Sequence, residues 1–201
     1  MATVFDSDKY LDAWKQFGEW PRIHDEMIGL IHYAAQPDAS ILDLCCSVGL
    51  LPQRIQDQLG RQAAGVEWLP EVIEKAQGFG IDVPIMNLQI SRDTMGELEE
   101  WMTANEVNAV SARRCLSEIA VPPKVPNGPP STDVIDWEMS EIMFGMFADI
   151  GVTDIWLQGR ARSVNSVHPV PDTVTEIEWV VRSGAYELHK TTKNCAWLVR
   201  A

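Results

Sequence analysis

Ile41-Leu42-Asp43-Leu44-Cys45-Cys46-Ser47-Val48-Gly49 is the stretch from which the chain can be read outward. Ile41 to Leu44 is a short apolar run carrying one carboxylate, and it reads as a buried strand ending in a tight loop of small residues. Leu50, Leu51, Ile55 and Leu59 then fall on one helical stripe, and Gly60 can close that helix in a left-handed conformation. Ala63 to Glu67 is a second apolar strand, ending on an acid 24 positions after Asp43. That offset is near the ~20 of a first strand–helix–strand step. Strand, small-residue loop, helix, strand, acid is half of a doubly wound fold, whose ligand sits at the carboxyl ends of the strands.

Upstream, residues 7–35 read as two helices. Ser7 or Asp8 caps the first, with Leu11, Trp14 and Phe17 inward, and Gly18 and Pro21 break it. The second runs from about Pro21 to Ala35 with Ile23, Met27, Leu30 and Ile31 as its stripe, and Pro37 follows it. Downstream, Pro70 opens a helix to about Gln77. Ile81 to Met86 is a third strand, which Pro84 confines to an edge of the sheet. A helix from Ser91 or Thr94 to about Ala104 follows, with Thr94 and Glu97 at capping-box spacing. Val107 to Ser111 is the fourth strand. Residues 120–131 hold five prolines and one glycine, which makes them a loop. Thr132 to Ile150 is a long helix and Asp154 to Leu157 the fifth strand. An irregular stretch precedes a last helix over Thr173–Arg182, where Thr173 and Glu176 again have capping-box spacing.

The tail constrains the architecture most. Tyr186 to Thr191 and Cys195 to Arg200 read as strands with only Thr192 to Asn194 between them. A parallel crossover takes about a dozen residues or more, so these two form an antiparallel hairpin. The expected fold is a single α/β domain over 1–201: a doubly wound, mostly parallel seven-stranded sheet with an antiparallel C-terminal hairpin. The strand near 195–200 should insert beside the fifth. A helical cap over 1–37 precedes the core over 38–201. A nicotinamide-binding sheet would more often stay parallel, and its GxGxxG is missing.

The composition, 46% hydrophobic and 22% charged over 201 residues, is that of a globular chain with one sizeable core. No apolar run approaches the ~18 residues of a membrane span. The first residues lack the basic start and apolar stretch of a signal peptide. Cys45, Cys46, Cys115 and Cys195 form no CxxC pair and no zinc spacing, so reduced thiols in a cytoplasm, with no metal, are expected. A net charge of −13 opposes general binding to nucleic acid or to an anionic membrane.

Residues 41–49 resemble motif I of the class I S-adenosylmethionine-dependent methyltransferases, which usually reads Leu-Asp-Leu-Gly-Cys-Gly-x-Gly. Leu42, Asp43, Leu44, Cys46 and Gly49 are kept; Cys45 and Ser47 stand where two glycines are usual. Asn108 to Ile119 resembles the motif IV region, with Asn108 in place of the usual acid. The resemblance implies a Rossmann-like methyltransferase fold and S-adenosylmethionine as cofactor. It implies that Asp43 orients the loop and meets the cofactor's ammonium, directly or through water. The backbone of Cys45, Ser47 and Gly49 would contact the methionyl part. Glu67 would accept hydrogen bonds from both ribose hydroxyls, Trp68 would stack on the adenine, and Asn87 and Leu88 would flank it. Ser111, at the end of the fourth strand, would lie beside the sulfonium. Tyr10, Trp14, Trp20 and His24 on the cap are candidates for the pocket roof, or core fillers.

Glu67 has a second reading, as a cap of the helix after it. Under the ribose reading Glu67→Gln should weaken only cofactor binding; under the cap reading it should lower only stability. Methyl transfer requires alignment more than proton chemistry, so no catalytic motif is expected. Glu118, His24 and Arg113 are the candidates, against a structural ion pair between Arg113 and Glu118. A small-molecule acceptor comes first, with a protein or RNA behind it. The alternative is a non-catalytic methyltransferase-like protein acting through a partner protein.

Overall fold

A computed structural model describes residues 20–76, 78, 80–116, 119, 136–159 and 173–201. The expected first helix, the proline-rich loop, the start of the long helix at 132–135, most of the irregular stretch before Thr173, and the candidates Tyr10, Trp14 and Glu118 lie outside the described residues. In chain order the helices are α1 (Trp20–Ala34), α2 (Leu50–Leu59), α3 (Pro70–Ala76), α4 (Met95–Ala104), α5 (Trp137–Asp149) and α6 (Thr173–Val181). The strands are β1 (Ser40–Leu44), β2 (Gln62–Glu67), β3 (Ile85–Asn87), β4 (Ala109–Arg113), β5 (Asp154–Gln158), β6 (Tyr186–Thr191) and β7 (Ala196–Arg200).

The seven strands form one sheet in the order β3-β2-β1-β4-β5-β7-β6. β3 to β5 are parallel, and β7 inserts antiparallel between β5 and its hairpin partner β6, as the short linker requires. The order reverses between β1 and β4, so the crevice of a doubly wound sheet opens there, beside the loop after β1.

Alternation along β1 assigns the two layers. Leu42 and Leu44 face a core shared with Leu98 and Met102 of α4, Met143, Phe144 and Phe147 of α5, and Trp179 of α6. Ile41 faces the opposite core, with Met27, Leu30 and Ile31 of α1, Ile55 of α2 and Trp156 of β5. The upstream helix thus lies flat against one sheet face as a core helix. It is held across the sheet by Glu26, whose carboxylate accepts the Asn194 N–H at 2.8 Å and the Asn194 amide at 2.6 Å in the hairpin turn.

Several edges differ from the sequence reading. β3 is only three residues long: Pro84 has no N–H to give, and its carbonyl accepts the Gly65 N–H at 2.9 Å just ahead of the strand. β4 begins two residues late because the Val107 N–H returns to the Met102 carbonyl at 2.9 Å, ending α4. The Thr94–Glu97 box gives way to an earlier pair, in which the Ser91 N–H donates to Thr94 Oγ1 at 3.0 Å and the Thr94 hydroxyl to the Gln89 carbonyl at 2.6 Å. At α6, the Thr173 hydroxyl reaches the Asn194 carbonyl at 3.4 Å. Among the described residues, no helix is long and apolar enough to cross a membrane.

Candidate functional site

After Leu44 the chain turns through Cys45, Ser47 and Gly49 at φ 51°, 55° and 80°. Three left-handed residues at alternate positions fold the loop back on the sheet: the Cys46 N–H donates to Val66 at 2.9 Å and the Gly49 N–H to the Cys46 carbonyl at 3.0 Å. Cys46 is seated against Gly65 of β2, where an added Cβ would lie 2.3 Å from its Sγ. At Gly49 both the angle and the space demand glycine, since a Cβ would come within 3.0 Å of Ile81 and Ile85.

Cys45 and Ser47 adopt the left-handed backbone without being glycine, at about 1–2 kcal/mol each. The loop therefore keeps the turn that the motif's glycines would make easy. Ser47→Gly is expected to raise stability by about 0.5–1 kcal/mol once the added freedom of the unfolded chain is counted. That is a gain of roughly 1–4 °C in Tm for a chain of this size, read by thermal denaturation. A lower Tm would mean that the serine side chain contributes more than its φ costs.

Glu67, the last residue of β2, closes the loop from the neighbouring strand. Its Oε2 accepts the Ser47 N–H at 2.9 Å, while Oε1 accepts the N–H groups of Trp68 at 2.9 Å and Leu69 at 3.1 Å, just ahead of α3. One buried carboxylate thus clamps the loop and caps the following turn, so Glu67→Gln alone does not separate a ribose role from a cap. The Glu67 carbonyl accepts the Asn87 side-chain amide at 3.1 Å and the Leu88 N–H at 3.0 Å, which joins the ends of β2 and β3. Leu88 is buried, and Trp68 stands 47% exposed beside this edge.

Behind the loop lies a buried polar row on the α1 face of the sheet. Asp43, Ser111 and Trp156 are register partners on β1, β4 and β5. The Ser111 hydroxyl donates to Asp43 Oδ1 at 2.7 Å. Ser111 is the middle residue of β4 and fully buried, so the expected place at the strand's end belongs to Arg113 instead. Asp43 is likewise enclosed in the row. Burial pushes its carboxyl up to about 7; the Ser111 hydrogen bond and the Arg113 charge act downward and Glu67 upward.

Arg113 Nε donates to Gln158 Oε1 at 2.8 Å, its register partner at the end of β5. Gln158 escaped the sequence reading; the signal for it is its place at the carboxyl end of the fifth strand. His24 of α1 is buried near Arg113 and Arg54, 89 positions from the former in sequence. Burial first, then the charges of Arg113 and Arg54, lower it to about 3, against the opposing pull of Asp25. An imidazole held that low is a weak base at neutral pH. Its Nδ1 has no hydrogen-bond partner among the described residues. His24, Asp43 and Arg113, separate candidates in sequence, therefore share one electrostatic environment. Among the described residues, no group of three or more His, Cys, Asp or Glu is placed to hold a metal ion.

No protein-family model matches the sequence, and no curated protein matches it. Solved structures do match in shape. A TehB-like SAM-dependent methyltransferase from Corynebacterium glutamicum superposes with a TM-score of 0.62 at 14% identity, over 97% of this chain and 98% of its own. Magnesium protoporphyrin IX methyltransferase (ChlM) from Synechocystis with bound SAH gives 0.55 at 12% identity, over 98% of this chain and 100% of its own. The same enzyme with bound SAM gives 0.54 at 11% identity, over the full length of both chains. Together with the strand order, the inserted antiparallel β7 and the clamped loop after β1, these likenesses give the chain the class I S-adenosylmethionine-dependent methyltransferase fold.

Proposed function

We propose that the chain is an S-adenosylmethionine-dependent methyltransferase acting on a small-molecule acceptor. The observation that carries this reading is the loop of Cys45 to Gly49, left-handed at alternate residues and clamped by Glu67 at the carboxyl ends of β1 and β2. The residues fit the cofactor chemically. It has no pyrophosphate, so the loop needs close backbone approach to an amino acid and a ribose rather than an anion cradle. The carboxylate of Glu67 stands at this edge, where it suits a cationic ligand and opposes a phosphate.

In this reading the backbone of Cys45, Ser47 and Gly49 approaches the methionyl part. Glu67 accepts the ribose hydroxyls, Trp68 offers a face to the adenine, and Asn87 and Leu88 border it. Asp43 acts from behind, with Ser111 holding its carboxyl against the strand that carries the loop. When bound, the cofactor supplies a methyl group already activated on a positively charged sulfur. The chain's own contribution is alignment and exclusion of water, which in favourable cases is worth about 7–11 kcal/mol. No general base is assigned, and Arg113 is a candidate for orienting the acceptor. A small-molecule acceptor is supported by the neighbour named for magnesium protoporphyrin IX, whose chain this one spans end to end.

S-adenosylhomocysteine should bind and protect the fold. At a hundredfold excess over Kd a ligand selective for the folded state adds about 2.7 kcal/mol, or roughly 5–10 °C in Tm for a chain of this size. Calorimetry and a melting curve measure both. No heat and no shift at millimolar ligand would overturn the proposal.

A further inference from the structure

Cys45 opens the loop and is partly exposed, whereas Cys115 is buried behind it, just past β4. Strand pairing brings them together: Leu44 of β1 is the register partner of Ala112 of β4. The Cys115 thiol donates to the Leu44 carbonyl at 3.2 Å, which belongs to the peptide leading into Cys45. That hydrogen bond sets the Cys115 sulfur one peptide away from Cys45. Neither sulfur has a part in the proposed reaction, in which the loop acts through its backbone. The other two thiols lie elsewhere: Cys46 is wedged against Gly65, and Cys195 sits in the hairpin.

We propose that Cys45 and Cys115 form an oxidisable pair, which a hydroperoxide closes to a disulfide that takes the loop out of its cofactor-holding shape. The neighbouring Cys45 side chain and burial push the Cys115 thiol up and keep it protonated, so the first oxidation falls on the accessible Cys45. Its sulfur takes one oxygen from hydrogen peroxide, giving a sulfenic acid and one water. The Cys115 sulfur then attacks the Cys45 sulfur; the S–S bond forms, and hydroxide leaves with the Cys115 proton as a second water. Two thiols are oxidised by two electrons, and one peroxide is reduced to two waters.

The consequence follows from geometry. A disulfide brings its two sulfurs to about 2.05 Å, and Cys45 already sits in a left-handed turn two residues before the Ser47 N–H that Glu67 holds at 2.9 Å. Drawing Cys45 toward β4 pulls against that clamp. A converse follows: a ligand that binds the open loop lowers the population of conformers in which the two sulfurs can meet, and so slows the closure.

The switching half of this proposal rests on the cofactor reading; the disulfide half does not. The test treats the intact chain with hydrogen peroxide, blocks remaining thiols with iodoacetamide and maps the peptides by mass spectrometry. A Cys45–Cys115 disulfide with Cys195 still alkylated is expected. Binding of S-adenosylhomocysteine should fall at least tenfold and return with dithiothreitol, and the ligand should slow disulfide formation. Cys115→Ala, or Cys115→Ser if the first folds poorly, should form no such disulfide and keep its reduced-state affinity after a mild, reversible peroxide treatment. Oxidation confined to Cys45 as sulfinic acid, or a Cys45–Cys46 link, would overturn the pair. A Cys45–Cys115 disulfide with unchanged affinity would overturn the switch. If the reduced chain binds no S-adenosylhomocysteine, the methyltransferase proposal and the switch fail together, while the peptide map still decides the pair.

Discussion

Asp43→Asn is expected to turn a stability profile that is nearly level in mild acid into one that falls steeply. Asp43 is raised from 3.8 to about 7 in the folded chain, chiefly by burial. His24 is lowered from 6.5 to about 3, also chiefly by burial. Between about pH 4 and 6.5 the folded state holds a proton on Asp43 that the unfolded chain has released. Over the same window the unfolded chain holds one on His24 that the folded state excludes. The proton counts match, so together these groups give no slope there. Above about 6.5 Asp43 acts alone, and its contribution is lost as pH rises through about 7.

Asparagine removes one side of that balance. His24 then acts alone, and the stability of its neutral form, full above 6.5, is lost as pH falls toward 3. At about 1.4 kcal/mol per pH unit, the variant should lose up to roughly 3 kcal/mol between pH 6.5 and 4. At pH 8 it should be more stable than the parent by roughly 1–3 kcal/mol, because no charge is buried, less the cost of seating an amide NH2. His24→Gln should slope the other way, losing stability from pH 4 to 7. Urea denaturation across pH 4–8 measures all three proteins. An Asp43→Asn profile parallel to the parent's would mean that Asp43 stays ionised in the folded chain and that burial does not govern it.

The parts of the fold legible in sequence are those set by local chemistry. α2 starts and stops where its stripe and Gly60 place it, with the Gly60 N–H reaching back to Gln56 at 3.0 Å. The hairpin followed from a linker too short for any other connection. The misplaced edges came from hydrogen bonds that no stripe records, such as the Val107 N–H turning back to Met102. The site divides in the same way. Residues 41–49 and Glu67 were visible as a motif, but the left-handed angles at Cys45 and Ser47 were not, since neither residue type announces them. Contacts made only by strand pairing were beyond reach: Ser111 with Asp43 across 68 positions, and Arg113 with Gln158 across 45.

Glu67→Gln should lower both stability and cofactor affinity, because one carboxylate serves two structures. Its two oxygens accept from opposite sides, the loop's Ser47 N–H on one and the N–H groups of Trp68 and Leu69 on the other. Gln offers one acceptor oxygen and one NH2. Whichever way the amide is turned, the NH2 meets an N–H donor, and a charge-assisted bond of about 1.5–3 kcal/mol is lost. The expected cost is roughly 2–3 kcal/mol, or about 4–12 °C in Tm for a chain of this size. If the ribose diol also rests on this carboxylate, affinity for S-adenosylhomocysteine should fall roughly tenfold to a few hundredfold, at ~1.4 kcal/mol per tenfold. A slackened loop would weaken binding too, so affinity alone does not discriminate. A two-by-two comparison does, using a 2′,3′-dideoxy analogue of S-adenosylhomocysteine on both proteins. Where Glu67 holds the diol, removing the hydroxyls is costly in the parent and nearly free in the variant, since the partner is already compromised. An equal penalty in both proteins would confine Glu67 to clamping the loop and capping the turn, and would leave the hydroxyls to another residue of this edge.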